Sequence, residues 1–223
     1  MNDFETIISK FYELKRGNED LSESNKRQQQ MLAQLQESDH IELIEILHRD
    51  IKKLILEYNE SPSQTKRRGL FRAIFAYIEG SMFITKEELV IEESHKRKPN
   101  LSIEEIMLLR EKIPFIDNKG KLRSSVKYSE LSANILFTIS CYNKSAHTNI
   151  SINKNDLEWK CLTESIVVRN RTTHPKHASE IDISDNELAK VFIGYSYFKK
   201  LIIDLNNEKT SNLKNATPGQ IKF

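Results

Sequence analysis

Cysteine, proline and glycine are scarce in this chain of 223 residues, which contains two, five and six of them respectively. Cys141 and Cys161 do not form a disulfide framework or a cluster of zinc ligands, so both are expected to be reduced packing residues. There is no nucleotide-binding glycine motif and no strand-rich region to compete with a helical reading. No apolar run approaches the length that spans a bilayer, so no membrane partner is expected. The opening Met1-Asn2-Asp3-Phe4-Glu5 lacks the basic start and apolar stretch of a secretion signal, and a cytoplasmic location is expected.

Charge of one sign is also lacking. The formal charge of +2 is the balance of 34 basic and 32 acidic groups, so net charge does not decide for or against a nucleic-acid partner. Local patches carry that question, and the candidates are Lys66-Arg67-Arg68, Lys96-Arg97-Lys98 and the stretch from Arg169 to Lys176, although such runs are often solvated faces. Hydrophobic residues at 38% and charged residues at 30% suit one main domain with many exposed helical faces.

What is abundant is helical periodicity. From Phe4 to Leu35 a heptad can be read through Phe4, Phe11, Asn18, Asn25 and Leu32 at one seam and Ile7, Leu14, Leu21, Gln28 and Leu35 at the other, with the two Asn and Gln28 weakening the seam. Residues 1–37 therefore form a separate N-terminal unit, either a coiled coil or a long amphipathic helix lying on its own domain. Asp39 and Glu42 fit a capping box before the stripe Ile44, Leu47, Ile51, Leu54, Ile55 and Tyr58. A helix over about 66–90 has Leu70, Phe71, Ile74, Phe75, Ile78 and Met82 on its buried side and forms the centre of the core.

Residues 92–127 have the marks of an insertion: a charged run, Pro99, a short capped helix from Ser102, Pro114 and an Asp117-Asn118-Lys119-Gly120 turn. Helices resume with Tyr128, Leu131, Ile135, Ile139 and Tyr142, then from about Asn155, where Glu158 completes a capping box. The last helix starts at Ser184 with Glu187 and carries Leu188, Val191, Phe192, Tyr195, Phe198, Ile202 and Leu205. Residues 206–223 are polar and read as a loose tail. The main domain is therefore expected to be all-α over residues 38–205.

The densest chemistry lies in Arg169-Asn170-Arg171-Thr172-Thr173-His174-Pro175. In one continuous helix, residues five apart point about 140° away from each other, so Arg169 and His174 share a face only if the helix is interrupted. Pro175 biases His174 away from helical angles and supplies such a break. Arg169 can then hold a phosphate through paired donors, and His174 can exchange a proton near neutral pH. The competing structural account is a helix C-terminus at which basic side chains meet exposed carbonyls.

Residues 169–174 match the form R-N-x-x-x-H, in which the chain resembles the HEPN superfamily. The resemblance implies a helical bundle with the motif late in the domain, and beyond the motif it is architectural, over about residues 40–205. It also implies a homodimer in which two motifs face each other in a composite cleft that cuts RNA without a metal or other cofactor. The 2′-hydroxyl attacks the adjacent phosphate and leaves a 2′,3′-cyclic phosphate. In that scheme Arg169 stabilises the phosphate, His174 moves the proton and Asn170 orients one of them or contacts the phosphate. Arg171 and Lys176 would add RNA affinity.

Glu79, near an otherwise apolar helix side, is a further candidate to orient Arg169 or His174, and a plain ion pair is the alternative. His174, His177, Cys161 and His147 fit no compact zinc pattern, so no metal site is expected. The resemblance suggests a toxin or antiphage defence effector restrained by an antitoxin or regulatory protein. Two other functions compete with it: a non-catalytic HEPN dimer that binds RNA or protein, and a coiled-coil scaffold assembled through residues 1–37.

Overall fold

The computed structural model describes residues 40–126 and 129–215, with side chains through Asn212. The expected coiled coil of residues 1–37, the Asp39 cap and residues 216–223 lie outside the described residues. The chain forms helix α1 (His40–Glu60), α2 (Gln64–His95), the short α3 (Ile103–Leu109), strands β1 (Lys112–Ile116) and β2 (Leu122–Val126), α4 (Leu131–Ala146), α5 (Leu157–Thr173), a 3-10 turn (Ala178–Ile181) and α6 (Asp185–Asn215). The described fold is mostly helical, as the periodicity predicts.

The 32-residue α2 runs through the middle and buries Leu70, Phe71, Ile74, Phe75, Ile78, Met82, Leu89 and Val90. Burying side chains of this size contributes roughly 1.5–3 kcal/mol each. Helix α1 lies along α2, and α4 contributes Ile135, Ile139 and Tyr142 to the same core. Helix α5 adds Trp159, Leu162 and Ile166, and α6 adds Leu188, Val191, Tyr195, Phe198, Leu201 and Leu205. Among the described residues no helix is long and apolar enough to cross a membrane.

Side-chain capping sets three of the helix starts among the described residues. Ser63 caps α2 by accepting from the Lys66 N–H, and Ser102 with Glu105 forms a capping box on α3. At α6, Ser184 Oγ accepts from the Glu187 N–H while Glu187 accepts from the Ser184 N–H at 2.8 Å, as expected. Helix α5 departs from expectation. Its N-cap is Asp156, which makes no side-chain capping bond, because Asn153 Nδ2 donates to Asp156 Oδ1 at 2.6 Å instead.

Three further expectations are corrected. Helix α2 continues to His95, so the first residues of the 92–127 insertion belong to the core helix. There Glu93, only 1% exposed, accepts from Lys96 Nζ (2.5 Å), Ser145 Oγ (2.6 Å) and the N–H groups of Asn100 (2.6 Å) and Leu101 (2.8 Å). A buried carboxylate with four donors holds the turn after the helix in place. Second, the insertion contains an antiparallel hairpin. Gly120 at φ 70° and Asp117, whose Oδ1 accepts from the N–H groups of Lys119 and Lys121, close the turn between two five-residue strands. Third, α6 extends through Asn215 where a loose tail was expected from residue 206. Lys209, paired to Glu92 at 2.6 Å, ties this polar extension to α2.

Helices α5 and α6 come into close contact at Gly194. A Cβ there would stand 2.7 Å from the Leu162 Cα and 2.9 Å from its N, so the contact is backbone to backbone. Gly194→Ala is expected to force the helices apart and cost about 1–3 kcal/mol. Gly69→Ala, whose Cβ would meet only Leu54 Cδ2 at 3.7 Å, is expected to raise stability by up to about 1 kcal/mol through helix propensity. Urea midpoints of the two variants moving in opposite directions would check both.

Candidate functional site

Helix α5 remains α-helical through Thr173, and His174 is its C-cap, with φ −127° and ψ 59°. The break that Pro175 imposes therefore falls on the last residue of the motif rather than inside it. Five of the six motif residues keep helical spacing, with the His174 N–H donating to the Asn170 carbonyl at 3.1 Å. Both threonine hydroxyls bond back to the Arg169 carbonyl, Thr172 at 3.1 Å and Thr173 at 2.7 Å, and so turn to their own helix rather than outward.

Helical spacing places Asn170 and His174 one turn apart, and both are exposed. Arg169 lies to one side of them, facing α2, where its guanidinium pairs with Glu79. Its other terminal nitrogen donates to Asn170 Oδ1 at 3.1 Å. The sequence-derived candidates Glu79, Arg169 and Asn170 thus form one connected group, and His174 joins it through the helix backbone. The Arg169 and Glu79 side chains are 33% and 43% exposed, so the pair contributes little to stability and can open toward a ligand.

Arg171 faces the opposite way. It donates to the Glu180 carbonyl, to the Asp182 carbonyl at 2.9 Å and to the Glu187 carboxylate at 2.6 Å. Its donors hold the segment after the motif against the start of α6, which favours a structural part over the RNA contact expected from sequence. Lys176 has an exposed side chain, and its N–H donates to Glu180 Oε2 at 2.7 Å.

The run Lys66-Arg67-Arg68 and Lys96 of the other run are drawn into the fold, whereas Arg97 and Lys98 stay exposed. Lys66 donates to the Glu57 carbonyl at 2.7 Å, and Arg67 reaches Tyr58 Oη, the Ile183 carbonyl and Asp185. Arg68 reaches the Ile181 carbonyl, and Lys96 serves Glu93 and Ser145. Cys141 and Cys161 are buried thiols, as expected; burial pushes Cys141 up to about 12. Among the described residues no three His, Cys, Asp or Glu side chains converge as metal ligands.

Sequence reasoning missed the part of Glu187 in this region. Its sequence position marks it only as a cap, yet it also anchors Arg171. The spacing to Arg171 carries no local signal, because the loop between them sets it. A cavity of about 310 Å³ lined by Ile150, Asp156, Tyr197 and Lys200 lies elsewhere on the bundle. Comparisons with known protein families, curated proteins and solved structures found no match for this chain.

Burial acts to raise the Glu187 carboxyl, but donation from Ser184 and Arg171 outweighs it and leaves the group below its ordinary value. A lowered folded value gives stability that is present above the ordinary carboxylate range and lost as pH falls through the lowered value. Glu187→Gln is therefore expected to be less stable than the parent at about pH 7, with the gap closing toward about pH 3. Urea unfolding at the two pH values measures this.

Proposed function

We propose that the chain is an HEPN-type endoribonuclease that works as a homodimer and cuts RNA without a metal. The observation that carries this reading is the group at the end of α5, in which Arg169 is held by Glu79 and Asn170 while Asn170 and His174 lie exposed one turn apart. These side chains supply the two functions that the reaction needs. Arg169 offers paired donors to a phosphate whose charge grows in the transition state, and His174 offers an imidazole to move a proton.

The 2′-hydroxyl of RNA is the nucleophile. As a base takes its proton, its oxygen bonds to the adjacent phosphorus, and the bond from phosphorus to the 5′-oxygen of the next nucleotide breaks as an acid protonates that oxygen. One product ends in a 2′,3′-cyclic phosphate and the other in a 5′-hydroxyl. Electrostatic stabilisation is strongest where water is excluded, whereas Asn170, Thr173 and His174 face solvent in one protomer. A second copy laid against this surface would supply the missing wall and a second motif. Glu79 acts as a positioning residue by holding Arg169 until a phosphate replaces it.

The same ion pair favours a second reading, a non-catalytic HEPN dimer that binds RNA or protein, because Glu79 already balances the Arg169 charge. The two separate on cleavage. In EDTA the parent protein is expected to generate cyclic phosphate ends on RNA and to leave DNA intact, since DNA lacks the nucleophile. Arg169→Ala and His174→Ala are each expected to lose about 10²-fold or more in rate. Glu79→Ala should slow cleavage while shifting stability by less than about 1 kcal/mol. Retained RNA binding with no cleavage by any of the four proteins would favour the binding module.

A further inference from the structure

The hairpin stands apart from the helical core. Of the ten strand residues only Ile113 is less than exposed, and Ile116, Leu122 and Val126 are 73%, 76% and 61% exposed. Register pairs Lys112 with Val126, Pro114 with Ser124 and Ile116 with Leu122, so these six side chains share one face. An isolated two-stranded hairpin is marginal in water, and this one leaves four apolar side chains on a single face uncovered.

Its two edges differ. The Asp117 N–H donates to the Lys121 carbonyl at 2.9 Å, which makes that pair hydrogen-bonded. Alternation then turns the backbone groups of residues 113, 115, 123 and 125 inward and those of 112, 114, 116, 122, 124 and 126 outward. On β1 the middle outward position is Pro114, which has no N–H, so that edge is blunted. The β2 edge presents outward N–H and C=O groups at Leu122, Ser124 and Val126 without interruption.

That edge is complementary to itself. We infer that β2 pairs antiparallel with β2 of a second copy about a two-fold axis at Ser124, joining the two hairpins into one four-stranded sheet. In this register Leu122 lies opposite the second copy's Val126, and the reverse, giving two apolar cross-strand pairs. Arg123, bound to Asp117 at 3.0 Å, lies opposite Ser125, so no like charges stand directly opposite within the paired strands, and the two Arg123 are diagonal neighbours. A two-fold register centred on Arg123 would set two guanidinium groups directly opposite, and one centred on Ser125 would leave Leu122 outside the overlap. Each row across the sheet then reads Ile116, Leu122, Val126, Lys112, a band on the face that one hairpin leaves bare. This pairing does not rest on what residues 169–174 do.

The test uses the full chain carrying Ser124→Cys, whose thiol is exposed while Cys141 and Cys161 are buried. A short bis-maleimide is expected to link two Ser124→Cys chains, since residues paired at the axis stand about 5.5 Å apart at Cα. Lys119→Cys in the turn is expected not to link, because two such positions would stand on the order of 30 Å apart. Adding Leu122→Glu with Val126→Glu, or Leu122→Lys with Val126→Lys, should each abolish linking through Ser124→Cys. Mixing the acidic and basic forms should restore it as a heterodimer. Failure of Ser124→Cys to link, equal linking at Lys119→Cys, or linking indifferent to the charge changes overturns the pairing. Loss of RNA retention in the acidic form with linking unchanged would assign the ribbon to nucleic acid instead.

Discussion

The close approach of α5 and α6 sets the geometry of everything around the motif. At Gly194 the two helices meet backbone to backbone, with no room for a Cβ. Toward the C-terminal end of α5, Arg171 ties the same pair together through Glu187 and the carbonyls of Glu180 and Asp182. Held along its length, α5 stays helical until Pro175 forbids it. The rotational position of each motif residue follows: Arg171 turns inward to α6, Arg169 toward α2, and Asn170 and His174 outward.

Position on the helix thus separates two arginines that are only two residues apart. Arg171 satisfies backbone carbonyls where the chain leaves α5, and removing it would leave those acceptors without their donor. Arg169 has a half-exposed carboxylate and an amide as partners, both of which a phosphate can displace. The same sorting runs through the other basic residues. Lys66, Arg67, Arg68 and Lys96 brace carbonyls or pair with carboxylates within the fold.

The hairpin is the element least explained by the bundle. The helices bury their apolar stripes on one another, whereas the strands carry apolar side chains into solvent. An edge of alternating free donors and acceptors with apolar side chains beside it is the usual template for strand pairing. Pro114 closes one edge, and the turn at Asp117 determines which backbone groups the other one shows.

The sequence by itself determined the helices with strong apolar periods, the capping of α3 and α6, and the place where α5 must stop. These depend on local angles and on side chains three or four residues apart. It also singled out Glu79, Arg169 and Asn170 by residue type. Their convergence was decided by tertiary structure, since Glu79 and Arg169 are 90 residues apart in the chain. The same holds for the polar end of α6, which has no apolar stripe to announce it and is held by Lys209 on Glu92, and for Arg171, whose acceptors lie across a loop. The hairpin shows the middle case. Its turn was legible from Asp117 to Gly120, but two short strands with Pro114 in one of them carry too little alternation to be read before their pairing is seen.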